Sequence, residues 1–255
     1  MPLEIVTVAT LQDNYNFLIH DSDSGQTVCI DCGDPEPILA ALKARDWTLN
    51  EVWLTHHHWD HADTAPALCA ATGALLKGAA QDSHRLPALD HMAVPGEDFE
   101  FAGHTVQVLD ATGHTAAHIA YYIEAASALF SADSLMVLGC GRLNDGSPAQ
   151  MFDTLQRFAA LPAETLVCAG HEYTANNGKF ALTVDPENSA LISRCEQVAA
   201  LREKSLPTVP SLLSEELATN PFLRCDSAAI RHQIDMADAS DLEVFIEIRA
   251  RKDRF

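Results

Sequence analysis

The sequence predicts a mixed α/β domain followed by a smaller helical one. Short apolar runs bounded by turn or polar residues, which are typical of strands, are concentrated before Tyr173, whereas mainly helical apolar spacing follows in 187–204 and 227–251. The chain has 255 residues, 47% of them hydrophobic, so it is long enough to bury a main core and a second, smaller one. We therefore expect two domains, 1–172 and 173–255.

The individual elements follow from the same patterns. Each strand-like run is too short for a globular helix. These runs are 27–30, 52–54, 106–109, 120–123 and 166–169. Helices are expected at 64–71, ended by Gly73, and at 149–161, where Ser147 is the N-cap and Pro148 takes the first helical position.

The charge of the chain limits its partners. A formal net charge of −20 disfavours nucleic acid and anionic membranes, because contacts to phosphates depend on Lys and Arg. No segment approaches the roughly 18 to 20 uninterrupted apolar residues that cross a bilayer, and residues 1–11 lack the basic and apolar regions of a secretion signal. We expect no nucleic-acid partner and no membrane partner.

The cysteines favour a reducing compartment. Seven scattered cysteines do not resemble the disulfide framework of a small secreted domain, so we expect a cytoplasmic protein. Cys29 and Cys32 have C-x-x-C spacing, which allows a metal or redox site. They lie at the end of a predicted strand, however, where residues three apart point to opposite faces, and this favours buried core thiols.

Basic residues are concentrated at the end of this acidic chain. Four of the sixteen lie in the last seven positions: Arg249, Arg251, Lys252 and Arg254. Two interpretations fit them. They complement the dipole of a terminal helix, or they form a local site for an anion.

The strongest chemical signal is the segment 55–61, which reads T-H-H-H-W-D-H and directly follows a predicted strand. So many imidazoles and carboxylates would make a poor core, because each polar group needs a partner when it is buried. Metal ligation supplies those partners. A loop leaving a strand can point His56 and His58 to one side and Asp60 and His61 to a neighbouring point, which gives two half-sites.

Three more candidate ligands each follow a strand-like run: His114, Asp133 and His171. Active-site groups commonly gather where strands end in loops, so we expect these residues to join the segment 55–61. His57 should face away from the metals and pack or support a ligand, and His118 should form a supporting hydrogen bond. The remaining histidines are expected at surface or loop positions: His20, His84, His91, His104 and His232.

The order of these motifs is similar to that of the metallo-β-lactamase superfamily, and within it to the glyoxalase II family. The motifs are T-H-x-H-x-D-H at 55–61, G-H-T at 113–115, Asp133 after an apolar strand, and G-H-E-Y-T at 170–174. Further landmarks are D-N-Y at 13–15, D-C-G-D at 31–34, G-C-G-R at 139–142 and R-K-D-R-F at 251–255. The resemblance spans nearly the whole chain and implies an α/β fold, an αββα sandwich with a C-terminal helical domain that contributes to a glutathione site.

The resemblance also implies two divalent metal ions, with zinc expected first and iron or manganese as alternatives. The ligands of one ion would be His56, His58 and His114. Those of the other would be Asp60, His61 and His171. Asp133 would bridge both ions, and a hydroxide bridging them would attack the substrate. The family's substrate positions correspond to Arg142, Tyr173, Arg249 and Lys252.

The implied activity is hydrolysis of S-2-hydroxyacylglutathione thioesters, such as S-D-lactoylglutathione, to a 2-hydroxy acid and glutathione. The expected partner is therefore the glutathione thioester, and the chain is expected to be a monomer. Alternatives within the superfamily are a lactonase, another thioesterase, a β-lactamase or a persulfide dioxygenase, against which the basic end of the helical tail argues. A non-catalytic binding module would be expected to lose ligands, yet all seven are present.

The chain departs from the family pattern beside several of these residues. Asp63 and Thr64 stand where two glycines are usual, Ala132 replaces a glycine, and Asn144 replaces an aromatic residue expected near the substrate. These changes alter neighbours of the ligands rather than the ligands themselves. The replacements beside the ligands are expected to bear on loop geometry and metal preference, and Asn144 on substrate affinity and the preference for the acyl group.

Overall fold

The computed structural model describes residues 3–255, which form two compact units. Unit 1 contains the described residues up to Ala111 together with Ala117–Ala132. Unit 2 contains Thr112–Ala116 and Asp133–Phe255. Each unit has its own core.

Unit 1 holds the strands β1 to β10 and the helices α1 to α3. The strands are β1 (Glu4–Thr10), β2 (Asn14–Asp21), β3 (Gln26–Ile30), β4 (Thr48–Trp53), β5 (Leu75–Ala79), β6 (His91–Ala93), β7 (Phe99–Phe101), β8 (His104–Asp110), β9 (Ile119–Ile123) and β10 (Ala128–Ala132). The helices are α1 (Pro35–Arg45), α2 (Trp59–Ala62) and α3 (Ala65–Thr72). Each of the predicted runs 27–30, 52–54, 106–109 and 120–123 falls at least partly in a strand.

The strands of unit 1 form two layers. β1 to β6 are neighbours in chain order, with antiparallel pairing from β1 to β3 and parallel pairing from β3 to β6. The strands β7 to β10 form an antiparallel meander. Aromatic side chains join the layers: the Trp53 ring lies 4.9 Å from Phe99 and 5.3 Å from Tyr121, whose hydroxyl donates to the Leu54 carbonyl at 3.0 Å. The end of β4 is thus fixed inside the core.

Helices cover the outer face of the first layer. α1 packs against β1 and α3, and α3 packs against β4 and β5. The Asp34 side chain caps α1 by accepting from the Glu36 backbone N–H at 3.0 Å. α3 ends at Gly73, which has a left-handed φ of 80° as a helix terminator requires, and this confirms the predicted end.

Unit 2 is mainly helical. Its helices are α4 (Pro148–Ala159), α5 (Thr174–Val184), α6 (Ser189–Glu203), α7 (Leu213–Thr219), α8 (Ala228–Gln233) and α9 (Asp241–Arg254). Its strands are β11 (Leu135–Met136), β12 (Gly139–Cys140), β13 (Leu166–Ala169) and β14 (Ser211–Leu212). β11 pairs with β12 and β13 with β14, both antiparallel. Phe245 of α9 anchors the core, with ring centroids 5.8 Å from Phe152 and 5.7 Å from Phe222.

Two helix predictions in unit 2 have different outcomes. α4 begins at Pro148 with Ser147 in a capping box, as predicted. The stretch predicted as helical at 227–251 is two helices, because Asp235 takes a left-handed φ of 61° after α8 and Ser240 caps a new helix. The apolar spacing continues across the break, so periodicity alone does not reveal it.

Burial accounts for the cysteine pair. Cys29 and Cys32 are both fully buried, which confirms the prediction of core thiols. Burial raises the pKa of Cys29 well above its ordinary value and that of Cys32 to about 12, so neither is a ready thiolate. Across residues 3–255, none of the helices combines the length and apolar character that spanning a membrane needs.

Candidate metal centre and substrate cavity

The segment after β4 brings its histidines together within unit 1. His58 is the N-cap of the short helix α2, which carries Asp60 and His61. The His56 ring lies 4.7 Å from the His58 ring and 4.3 Å from the His61 ring, and His56 and His61 are almost completely buried. The Asp60 Oδ2 atom lies 3.7 Å from His61 Nε2. The sharp turn from strand into helix is what concentrates these donors.

Asp31, at the end of β3, orients two of these residues. Its carboxylate accepts from the Thr55 backbone N–H at 2.8 Å, from the Thr55 hydroxyl at 2.8 Å and from His61 Nδ1 at 2.9 Å. The Thr55 hydroxyl also lies 3.0 Å from His56 Nδ1. Because Nδ1 of both His56 and His61 is already in a hydrogen bond, Nε2 of each ring is the atom available to bind a metal ion.

Asp31 is buried with His56 and His61, and one ligand atom of each lies within 4.8 Å of the others. Because its carboxylate already accepts from three donors, we assign Asp31 to ligand orientation rather than ligation. The residues 31–34 were identified from the sequence only as a landmark, and the orienting role of Asp31 was not predicted. No local pattern in the sequence indicates this role, because the burial of Asp31 and the pairing of β3 with β4 are visible only in the fold.

Asp60 is held from the other side. The Asn14 amide donates to the Asp60 carboxylate at 2.9 Å and to its carbonyl at 3.3 Å. Gly33 allows the close approach, because a Cβ there would lie 2.9 Å from the Asp60 carbonyl oxygen and 2.8 Å from the Thr10 hydroxyl. The landmark segments 13–15 and 31–34 thus support the metal-binding segment.

Replacing Asp31 with asparagine should weaken metal binding about 10- to 100-fold, because an amide has a single acceptor oxygen and cannot accept from the Thr55 N–H, the Thr55 hydroxyl and His61 Nδ1 together. Competition with a chromogenic chelator measures the change. Asp34→Asn is the matched control, since Asp34 lies on the same loop but caps α1. Equal metal affinity in the wild type and in Asp31→Asn would contradict the orienting role.

The two histidines predicted to support the site differ in their contacts. His57 Nδ1 lies 2.9 Å from the carboxylate of Asp82, which is fully buried, and the His57 ring packs edge-on against His58 with centroids 4.9 Å apart, in keeping with the predicted packing or supporting role. The His118 ring is fully buried and stacks on His56 with centroids 4.6 Å apart. This stacking restricts the rotation of the His56 ring. The hydrogen bond predicted for His118 would have the same effect.

The other histidines are mostly where they were expected. His84, His91 and His232 are exposed, and His104 is half-buried. The surface or loop prediction is wrong for His20, which lies in β2, is 9% exposed and stacks on Trp47 at 4.1 Å. The reason is that β2 is buried on both faces.

Unit 2 contains a second set of donors. Asp133 Oδ2 lies 3.4 Å from His114 Nε2 and 3.3 Å from His171 Nε2. His114 Nδ1 donates to the Arg142 carbonyl at 2.7 Å, which again leaves Nε2 as the ligand atom. Ligands bound tetrahedrally at about 2.0 to 2.1 Å from one ion are separated by roughly 3.3 Å. The donors of unit 2 therefore have the type and spacing that divalent ions need.

A cavity of about 460 Å³ in unit 2 adjoins these donors. His114 and Asp133 line it, together with all four residues predicted to bind substrate: Arg142, Tyr173, Arg249 and Lys252. Three cations thus gather around one cavity in a chain whose net charge is −20. The net negative charge of the chain repels an anion, and electrostatic interactions are screened beyond about 8 Å at physiological salt. Recognition of an anionic ligand therefore depends on the cations that line the cavity.

Lys252 and Tyr173 present different chemistry to this cavity. Lys252 is half-buried, with its ammonium 5.2 Å from the centre of the Phe180 ring and 3.4 Å from the Asn176 carbonyl. Burial, followed by the charge of Arg249, lowers the pKa of Lys252 to about 8. The Tyr173 ring is 39% exposed and stacks on His171 with centroids 4.7 Å apart. An anion bound beside Lys252 would raise the pKa of Lys252 again.

Arg249 is built into the wall of the cavity. Its side chain is 4% exposed, and it donates to the carbonyls of Cys140 at 3.0 Å and Gly141 at 3.4 Å, and to Asp253 at 2.8 Å. The spacing of Arg249 and Lys252 correctly indicated a shared helical face, because both line the cavity. It did not reveal that the Arg249 guanidinium is bonded to backbone.

Two family models divide the chain between them. Residues 11–171 match the metallo-beta-lactamase superfamily, and residues 172–255 match the C-terminus of hydroxyacylglutathione hydrolase. A protein of Roseobacter denitrificans called hydroxyacylglutathione hydrolase is 56% identical over 255 residues, with both chains completely covered. The chain belongs to the hydroxyacylglutathione hydrolase family.

Solved structures agree with this family's fold. A crystal structure of ETHE1 from Myxococcus xanthus has a TM-score of 0.68 and 26% identity, covering 98% of this chain and 90% of its own. TTHA1623 in a di-iron-bound form has a TM-score of 0.61 and 25% identity, covering 88% of this chain and 100% of its own. The α/β metallo-β-lactamase fold with a C-terminal helical domain, expected from the resemblance, is confirmed.

Membership of the hydroxyacylglutathione hydrolase family, together with the histidine and aspartate clusters, indicates a divalent metal site. The departures from the family pattern lie around it. Asn144 lines the cavity, and its backbone N–H donates to the His114 carbonyl at 3.0 Å. An amide thus stands in the cavity at the position where the resemblance predicted an aromatic ring.

Proposed function

We propose that this protein hydrolyses S-2-hydroxyacylglutathione thioesters, with S-D-lactoylglutathione as a representative substrate, to a 2-hydroxy acid and glutathione. Membership of the hydroxyacylglutathione hydrolase family supports this activity. The observation that carries it is the cavity of unit 2, where candidate metal ligands and three cationic side chains line one space. Such a space suits a ligand that has both a reactive carbonyl and carboxylates.

The proposed metal site holds two divalent ions. His56, His58 and His114 are the ligands of one ion. Asp60, His61 and His171 are the ligands of the other. Bridging by Asp133 is supported by its similar distances to His114 and His171, which belong to different ions in this scheme. Zinc is expected first. Iron is an alternative, because the similar structure of TTHA1623 is a di-iron-bound form.

When bound, such ions supply a Lewis acid for the thioester carbonyl and a nucleophile at neutral pH. The side chains then have to place the substrate. Arginine donates paired hydrogen bonds to a carboxylate, which suits Arg142, and Lys252 adds a compact charge. Tyr173 offers a half-exposed ring and hydroxyl at the edge of the cavity. The segment 173–255 is thus proposed to serve as the substrate-binding domain and 1–172 as the catalytic one.

The leaving group needs no proton donor from the chain. A thiol has a pKa of roughly 8.5, so the thiolate can leave a thioester without being protonated near neutral pH. The nitrogen that leaves an amide requires a proton. This makes a thioester the natural substrate for a site whose charged side chains bind and orient. The expected cytoplasmic location is supported by the seven cysteines, all within the described residues and all free thiols. The monomeric state stays a prediction.

Glutathione recognition predicts strong discrimination by the thiol part of the substrate. We expect kcat/KM for S-D-lactoylglutathione to exceed that for the lactoyl thioester of a neutral thiol by at least about a hundredfold, because two charged contacts are lost. Steady-state hydrolysis by metal-analysed protein measures the ratio, with an oxygen-ester lactone as the control for a lactonase. Equal kcat/KM for the two thioesters would rule out glutathione recognition, and faster lactone hydrolysis would favour the lactonase alternative.

A further inference from the structure

Residues 136–142, here called the wall loop, form one side of the substrate cavity. Met136, Cys140, Gly141 and Arg142 of this loop all line the cavity. Leu138, at its tip, has a φ of 57°, in the left-handed region that leucine rarely adopts. β11 and β12 have only two residues each, and Leu138 between them has an unfavourable backbone conformation. The wall loop therefore needs hydrogen bonds from other parts of unit 2 to hold its shape.

That support comes from side chains bonded to the backbone of the wall loop. The Asn220 amide donates to the carbonyls of Met136 at 3.1 Å and Gly139 at 2.9 Å. The Leu138 backbone N–H donates to the Glu216 carboxylate at 2.9 Å, and the Asn177 amide donates to the Val137 carbonyl at 3.0 Å. One backbone polar group in each of the four successive residues 136–139 is therefore bonded to a side chain from outside the β11–β12 hairpin.

Glu216 is the centre of this arrangement. It is completely buried and forms an ion pair with Arg194, and its carboxylate accepts from Ser211 at 2.7 Å and from Asn220 at 3.0 Å. Buried ion pairs contribute little net stability, because both charges lose their hydration, although removal of one partner is costly. What the pair fixes here is position. Glu216 and Asn220 are both fully buried, so they act on a substrate only through the loop.

The wall loop is also placed tightly against Asp133. A Cβ added at Gly141 would lie 1.9 Å from the Asp133 carbonyl oxygen, so the backbones have no room to approach further. Arg249 holds the same end of the loop through the Cys140 and Gly141 carbonyls. Displacement of the loop would therefore shift Arg142 in the cavity and disturb the backbone of Asp133.

We propose that Glu216 and Asn220 are positioning residues for the thioester hydrolysis, which they serve by holding the wall loop in its substrate-binding geometry. The inference rests on the proposed function, because the positioned groups are those assigned to the substrate. It assigns a role in activity to side chains that touch neither the metal ligands nor the cavity. The plain alternative is that they stabilise unit 2 and nothing more.

Asn220→Ser is the sharper test. The Asn220 side-chain oxygen accepts from the Phe222 N–H, and a serine hydroxyl can take over that role. Serine lacks the NH2 group that donates to the Met136 and Gly139 carbonyls. We expect KM for S-D-lactoylglutathione to rise about tenfold, as loss of two backbone contacts allows. Hydrogen exchange of the wall-loop amides, followed by mass spectrometry, should accelerate at least about tenfold, while exchange in α4 stays the same.

Glu216→Gln tests the centre of the network, and Glu215→Gln is its matched control. Glu215 is the neighbouring residue, with its carboxylate 4.0 Å from Arg194 and its side chain 48% exposed. Glu216→Gln should raise KM and loop exchange as Asn220→Ser does, and Glu215→Gln should change neither. If Glu216→Gln does not fold, Asn220→Ser decides.

A lower melting temperature with unchanged KM and unchanged loop exchange in Asn220→Ser would overturn the positioning role. A wild-type protein that does not hydrolyse the thioester would instead overturn the proposed function. The exchange measurement needs no substrate, so it still reports whether Glu216 and Asn220 hold the loop. The two failures are therefore distinguishable.

Discussion

Asp133→Ala should lower kcat/KM by at least about a thousandfold, more than any other single ligand replacement. In unit 2 this carboxylate lies within 3.4 Å of the Nε2 atoms of both His114 and His171. Its removal takes a ligand from both proposed ions and the negative charge from between them, and metal-ion stabilisation of a transition state is worth several kcal/mol. Wild-type protein should hold about two metal ions per chain by elemental analysis, and the variant one or fewer.

Two further variants separate the charge from the rest of the fold. Asp133→Asn keeps the shape of the side chain and one oxygen ligand, so we expect a smaller loss of metal. Asp153→Ala removes an exposed carboxylate on α4 and should change nothing. If Asp133→Ala retained full activity with a single ion, the bridging assignment would be wrong.

Lys252→Ala should raise KM for S-D-lactoylglutathione about tenfold to a hundredfold and leave metal content unchanged. A contact between an ammonium and a carboxylate is worth roughly 1.5 to 3 kcal/mol, and Lys252 is half-buried in the wall of the cavity. Arg251→Ala and Arg254→Ala are the controls, because Arg251 is bonded to Glu247 and Arg254 is 67% exposed. If all three replacements changed KM by the same small factor, the basic residues at the end of α9 would only complement the helix dipole.

The same residue gives this binding step a pH dependence. The pKa of Lys252 is lowered to about 8, mainly by burial and then by Arg249, with Arg142 acting in the same direction and Cys140 and Asp253 in the opposite one. Below that pH the ammonium is charged and attracts a carboxylate. KM should therefore rise as the pH passes above about 8. Lys252→Arg, which stays protonated, should flatten the rise, and an equal rise in both proteins would exclude Lys252 as its cause.

The ligand-bearing segments were predictable from sequence because their chemistry is concentrated. A run of histidines and an aspartate directly after an apolar strand is unusual enough to predict a metal site by itself. His114, Asp133 and His171 are single polar residues after strands, and only their order relative to 55–61 identified them. The structure places His114 and His171 beside Asp133, and it brings His56, His58 and His61 together.

The supporting residues were much less predictable. Asp31 reads in sequence as an acid at the end of a strand, and its partners Thr55 and His61 become visible only when β3 pairs with β4. Glu216 reads as one more acid on a short helix, although it is completely buried. Hydropathy patterns place charged residues outside by default, so a buried charge whose partners are distant in sequence gives no local signal.

Arg142 contributes in two ways to the cavity of unit 2. Its side chain is assigned to the substrate, while its carbonyl accepts from the Nδ1 of His114, a proposed metal ligand. Any movement of Arg142 on ligand binding therefore changes the energy of the His114 ring. Thermodynamic linkage then requires reciprocity: if the thioester or glutathione tightens metal binding by some factor, the metal must tighten binding of that ligand by the same factor. Retention of the metal and affinity for the thiol product become two measures of one coupling.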